Sequence, residues 1–129
     1  MLGTRVILAD DHTLMLDAIK KLLEPEFEVV GTFGDGCALI EAAPALKPNV
    51  IVLDIGMPKM NGLDLHSNLS RLGKAIPTVL ITAYPSDDIR ARALQAGVMC
   101  YLPKPFDESD LLNCVQTALD RAKGNRGAP

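Results

Sequence analysis

Val50-Ile51-Val52-Leu53-Asp54 is the stretch on which the fold turns. Four aliphatic residues run without alternation and end on a carboxylate. A run this short and this uniformly apolar suits a strand buried on both faces, as in a parallel sheet. Outward from it the same shape recurs. Val6-Ile7-Leu8-Ala9 leads into Asp10-Asp11, Thr78-Val79-Leu80-Ile81 into Thr82, and Cys100-Tyr101-Leu102 towards Lys104. Phe27 with Val29-Val30 makes a weaker run.

Helical patterns fill the gaps. Met15, Ile19, Leu22 and Leu23 recur at helical spacing, with Asp17, Lys20 and Lys21 on the other side. Leu14 and Leu16 then point partly away from the core. Ala38, Leu39, Ala42 and Ala43 predict a second helix, stopped at Pro44 or shortly after it, with Gly34-Asp35-Gly36 as the turn before it. Leu63, Leu65 and Leu69 predict a third. Ser86 caps a fourth over Asp87 to Ala96, with Gly97 as its stop. Asp107 or Ser109 caps a last one carrying Leu111, Leu112, Val115, Ala118 and Leu119. The polar stretch from Arg121 to Pro129 reads as a linker or frayed end. Five βα units in succession predict an α/β, doubly wound, five-stranded parallel sheet with helices on both faces, the flavodoxin-like arrangement.

Sites in such sheets lie beyond the carboxyl ends of the strands. The reactive residues fall there. Asp10 and Asp11 follow the first strand, Asp54 ends the third, Thr82 ends the fourth, and Lys104 follows the fifth. Taken alone, an Asp-Asp pair is a helix cap, Asp54 a turn residue, Thr82 a strand former and Lys104 a solvated charge. Four strands ending this way together point to one site. Clustered carboxylates repel unless a cation intervenes, and that cation is Lys104 or a metal. An all-oxygen donor set suits Mg²⁺ or Mn²⁺. A carboxylate such as Asp54 can act there as a nucleophile towards phosphorus. Phosphoryl transfer asks mainly for positioning and charge neutralisation.

The 129 residues are 48% hydrophobic and 22% charged, enough for one ordinary core and unlike a disordered chain. Aromatics are only 4%, so that core is aliphatic. The net charge of −3 argues against a dedicated nucleic-acid surface. No apolar stretch is long enough to span a membrane, and the N-terminus lacks a signal-peptide pattern, so a cytoplasmic protein is expected. Cys37, Cys100 and Cys114 stand at unrelated spacings. They suggest neither a metal signature nor a disulfide framework, and are expected as buried or semi-buried free thiols. His12 reads as a loop or helix-start residue and His66 as a helix-surface or packing residue.

The motifs resemble the receiver domain of bacterial two-component response regulators. The residues that carry the resemblance are Leu8-Ala9-Asp10-Asp11-His12, Val52-Leu53-Asp54-Ile55-Gly56-Met57-Pro58 with Asn61-Gly62, Ile81-Thr82-Ala83, and Tyr101-Leu102-Pro103-Lys104-Pro105-Phe106. The likeness runs from Thr4 to about Ala122. It implies a receiver over residues 4–122 and a linker or disordered tail over 123–129. Asp11-His12 and Gly56-Met57-Pro58 look like receivers of the helix-turn-helix transcription-factor branch.

The resemblance implies that Asp54 is the phospho-acceptor. Asp11, Asp54 and the Gly56 carbonyl would hold the metal directly, and Asp10 directly or through water. Lys104, the Thr82 hydroxyl and the Ala83 N–H would contact the phosphoryl oxygens. Thr82 and Tyr101 would form the switch, with Tyr101 turning inward on phosphorylation. Lys104-Pro105 would be a cis bond. The surface that changes would run from Asp87 to Leu119. The implied partners are a sensor histidine kinase, a second copy of the chain on phosphorylation, and an output domain after the C-terminus. The chain by itself would bind no nucleic acid. It would be a signalling switch that catalyses only its own phosphorylation and dephosphorylation. A degenerate receiver acting as a protein-binding module and a metal-dependent phosphatase are the alternatives. The intact acidic, hydroxyl and lysine set speaks against the first, and short loops without a substrate pocket against the second.

Overall fold

The computed structural model describes residues 4–54, 76–83, 86–95 and 98–127, with backbone alone over 122–127. Five strands form one parallel sheet: β1 (Arg5–Ala9), β2 (Glu28–Phe33), β3 (Val50–Asp54), β4 (Thr78–Thr82) and β5 (Cys100–Pro103). Their order is β2-β1-β3-β4-β5. The described helices are α1 (Thr13–Leu23), α2 (Gly36–Leu46), α3 (Asp87–Gln95) and α4 (Glu108–Gly127). The helix expected around Leu63, Leu65 and Leu69, and His66 with it, lies outside the described residues.

Alternation along each strand divides the core between two faces. Val6, Leu8, Val50, Val52, Val79 and Ile81 pack with Ile19 and Leu23 of α1 and Leu111, Val115 and Ala118 of α4. Ile7, Ala9, Ile51, Leu53 and Leu80 pack with Leu39 and Ala43 of α2 and Ala93 of α3. Each fully buried aliphatic side chain contributes about 1.5–3 kcal/mol of transfer free energy. Covering both faces is therefore what allows the strands to be apolar throughout. β2 is the exception. It pairs only with β1, none of its residues is fully buried, and its register against β1 shifts between Val6 and Ile7. That half-buried edge explains why its apolar run is the weakest and why it extends past Val30 to Phe33.

Side-chain caps set three helix starts. Asp35 Oδ1 accepts from the Ala38 N–H at 2.9 Å, so Gly34-Asp35-Gly36 is a turn that ends in a cap. Ser86 Oγ accepts from the Ile89 N–H at 3.1 Å. Asp107 Oδ1 accepts from the Asp110 N–H at 2.9 Å and from the Ser109 hydroxyl at 2.9 Å. The Asp110 N–H, with the Ser109 hydroxyl behind it, holds the Asp107 carboxyl below its usual range. That cap supports α4 at neutral pH and is lost as the pH falls below the ordinary aspartate range. Pro44 does not end α2. The helix continues to Leu46 and stops at Lys47, whose φ of 50° is left-handed. α4 runs on to Gly127, so the stretch read as a linker or frayed end is helical over most of its length.

The expectation of free thiols fails for two of the three cysteines. Cys100 of β5 and Cys114 of α4 form a disulfide, their Cα atoms 5.7 Å apart. Cys37 is free, and is exposed rather than buried. Spacing along the chain could not reveal the pair, because strand and helix meet only when α4 folds back on the sheet. On α1, Leu14 is 85% exposed, whereas Leu16 packs against the core. No helix among the described residues is long and apolar enough to cross a membrane.

Candidate functional site

The strand order reverses at β1. Its two neighbours, β2 and β3, leave a crevice beyond the carboxyl ends of β1 and β3. Asp10 leaves β1 there and Asp54 ends β3 there, both buried. Asp10 Oδ1 accepts from the His12 N–H at 2.9 Å, which turns the chain into α1. His12 occupies the cap position of α1 without a side-chain capping bond. Its Nδ1 lies 3.1 Å from Asp11 Oδ1 and 3.4 Å from Asp10 Oδ1.

Lys104 reaches the crevice from the loop after β5. Its N–H donates to the Thr82 carbonyl at 2.7 Å, which ties the lysine to the end of β4. Its Nζ lies 3.3 Å from Asp54 Oδ2 and 3.6 Å from Asp10 Oδ2. The Lys104-Pro105 bond is cis, as the motif implied. Asp10, Asp11, Asp54 and Lys104 are therefore brought together as expected. Thr82 is buried and Ala83, next to it, exposed. Gly56 lies outside the described residues.

The balance of charge is uneven. One ammonium faces two buried carboxylates, with Asp11 beside them. Asp10 Oδ2 is buried and accepts no hydrogen bond. Burial pushes the Asp10 carboxyl above its usual range. The charge on Asp54 adds to the rise, while the His12 N–H and Lys104 oppose it. A raised pKa in the folded chain means that ionised Asp10 opposes folding. The penalty is absent below about pH 4 and grows as the pH rises through the folded value. Asp10→Asn keeps the oxygen that accepts from His12 and removes the buried charge. In the absence of divalent metal it should stabilise the chain by about 1–2 kcal/mol at pH 7. Urea unfolding of parent and variant at pH 7 and at about pH 4, near the unfolded aspartate value, measures this, and the gain should shrink at the lower pH.

Donor atoms of Asp10, Asp11, His12 and Asp54 all lie within 4.8 Å of one another. The carboxylates fit a hard divalent cation such as Mg²⁺, and Asp10 Oδ2, which has no hydrogen bond among the described residues, could take it or its water. By sequence His12 reads only as a helix-start residue. Its position directly after Asp11 is the one signal that it joins the cluster.

Tyr101 is on β5. It stands opposite Leu80 and packs against the cluster that includes Leu80, Ala93 and Val98. The residue is half-buried, and its hydroxyl is buried with no hydrogen-bond partner among the described residues.

The sequence model of the response regulator receiver domain matches residues 6–116. The transcriptional regulatory protein PdtaR of Mycobacterium tuberculosis is 37% identical over 118 residues, 91% of this chain and 57% of that protein. The response regulator protein PmrA of Pseudomonas aeruginosa is 37% identical over 125 residues, 97% of this chain and 56% of its own length. The chain therefore spans about half the length of the curated relatives it matches. Among solved structures, the signal receiver domain of a NarL response regulator from Mycobacterium tuberculosis superposes with a TM-score of 0.85 at 31% identity. That match covers 96% of this chain and 99% of that one.

Proposed function

The chain belongs to the response regulator receiver domain family, and from that premise we propose that it takes a phosphoryl group onto Asp54 from a sensor histidine kinase. The observation that supports this most is the Lys104 ammonium held between the Asp54 and Asp10 carboxylates, with one Asp10 oxygen left without a hydrogen bond. Asp11, Asp54 and the Gly56 carbonyl would hold Mg²⁺ or Mn²⁺, and Asp10 would hold it directly or through water. Bound there, the cation would supply charge neutralisation for the phosphoryl oxygens.

The protein's own groups do the rest. Asp54 supplies the attacking oxygen. A P–O bond forms to it as the P–N bond to the kinase histidine breaks, and the electron pair leaves with the imidazole. Lys104 binds one phosphoryl oxygen, and the Thr82 hydroxyl and Ala83 N–H bind another. Water later attacks the phosphorus, so the chain catalyses both ends of its own cycle. Thr82 and Tyr101 carry the change to the surface from Asp87 to Leu119. That surface controls an output domain, in the manner of a transcription regulator, or pairs with a second copy of the chain. Residues 4–122 are the receiver, and 123–129 lead towards the output. The chain works in the cytoplasm and binds no nucleic acid by itself.

Incubation with Mg²⁺ and a small phosphodonor should raise the intact mass by one phosphoryl group. Asp54→Asn should prevent it. Equal labelling of that variant would remove Asp54 as the acceptor.

A further inference from the structure

The Cys100–Cys114 bond joins β5 to α4, two of the elements read as the switch, and any role it has there rests on that reading. It closes a ring that contains Tyr101 and Lys104. One end is in β5, next to Tyr101, and the other is in α4. Both cysteines sit in or against the core beneath α1 and α4, so the bond staples strand to helix across a packed interface. Cys114 is 4% exposed and Cys100 is half-buried, so Cys100 is the more accessible residue of the two. Other ties between strand and helix do not need the bond. Arg121 of α4 donates to the Met99 carbonyl at 3.0 Å, and Leu111, Val115 and Ala118 stay buried against the sheet. The chain therefore has the means to keep its fold with both thiols free.

We propose that Cys100 and Cys114 form a reversible thiol–disulfide modification site. A small-molecule disulfide of the glutathione class there sets how freely β5 and α4 move against each other. The Cys100 thiolate attacks the small disulfide, whose S–S bond breaks and releases one thiolate with the bonding electron pair. The Cys114 thiolate then attacks the Cys100 sulfur of the mixed disulfide and releases the second. The chain loses two protons and two electrons, and the small disulfide becomes two thiols. Excess small thiol reverses both steps. Stapled, the segment that carries Tyr101 and Lys104 is tied to α4, and the surface has less freedom to respond to Asp54. Reduced, it responds fully.

The experiment equilibrates the whole chain in mixtures of reduced and oxidised glutathione, quenches in acid, and alkylates under denaturing conditions. One alkylated cysteine, Cys37, is expected in the oxidised chain and three in the reduced chain. Amide exchange of the unphosphorylated chain should slow by about tenfold over Cys100–Pro103 and the first turns of α4 on oxidation. Cys37→Ser should leave this unchanged. Cys114→Ser should abolish it, and Cys100→Ser should do the same where Cys114→Ser disturbs the core. Three alkylated cysteines at every ratio would overturn the proposal, as would equal exchange in the two redox states. Absence of Asp54 labelling in both states would count against the receiver-switch reading instead. Thiol count and exchange in the unphosphorylated chain would still decide the staple.

Discussion

Lys104→Ala should bind Mg²⁺ about tenfold more tightly than the parent, yet accept a phosphoryl group about 100-fold more slowly. The two effects have opposite signs because one ammonium has two jobs. In the resting chain Lys104 Nζ lies 3.3 Å from Asp54 and 3.6 Å from Asp10, on the same carboxylates a metal would share. A unit charge about 4 Å away is worth about 1 kcal/mol in water and about 4 kcal/mol at a dielectric near 20. Removing it relieves a competing cation, and about 1.4 kcal/mol is enough for a tenfold gain.

In the proposed transfer the same ammonium would bind a phosphoryl oxygen, and losing one such preorganised contact typically costs about 100- to 1000-fold in rate. Titration calorimetry with Mg²⁺ and a mass time course with a small phosphodonor separate the two effects. Weaker Mg²⁺ binding by the variant would mean that Lys104 does not compete for the cluster. Lys104→Arg should also slow acceptance, since a planar fork does not reproduce a compact ammonium held between two carboxylates.

Much of this was legible in the sequence for a physical reason. A parallel sheet covered on both faces makes its strands uniformly apolar, so a polar residue at a strand end stands out. Asp10, Asp54 and Thr82 stand out that way, and the strands lie where the apolar runs put them. Local hydrogen-bonding preference likewise placed the caps at Ser86 and Asp107. What escaped were contacts made only by tertiary packing. Cys100 and Cys114 meet because α4 lies over β5, and no spacing rule encodes that. The buried, unpartnered Tyr101 hydroxyl depends on how Leu80, Ala93 and Val98 close round the ring. His12 has an ordinary helix-start sequence, and only the bend after Asp10 brings its Nδ1 within 3.1 Å of Asp11. The half-buried edge strand β2 was faint for the converse reason, because it needs fewer apolar residues.

Thr82→Ala should still accept a phosphoryl group on Asp54 but lose the response of the surface from Asp87 to Leu119. Thr82 is buried at the end of β4, and its carbonyl already accepts from the Lys104 N–H at 2.7 Å. Its backbone is thus held in place, and the proposed phosphoryl group would offer its hydroxyl a charged acceptor. A hydrogen bond to a charged oxygen is worth about 1.5–3 kcal/mol. A ligand shifts two states only by its differential interaction with them, so this bias is about 10- to 150-fold at most. Such a bias is sufficient only if the two states are close in energy, and Tyr101 suggests why they are. Its ring gains apolar contact inside, but its buried hydroxyl has no partner, and leaving such a group unsatisfied costs about 1–3 kcal/mol. Burial and desolvation of the ring oppose each other, so one added hydrogen bond at Thr82 is the bias expected to fix the ring and the strand that carries it. Amide exchange of parent and variant, each phosphorylated and each under reducing conditions, measures the coupling. The parent should gain protection around Tyr101 and the variant should not. The same gain in both would show that the signal bypasses the Thr82 hydroxyl.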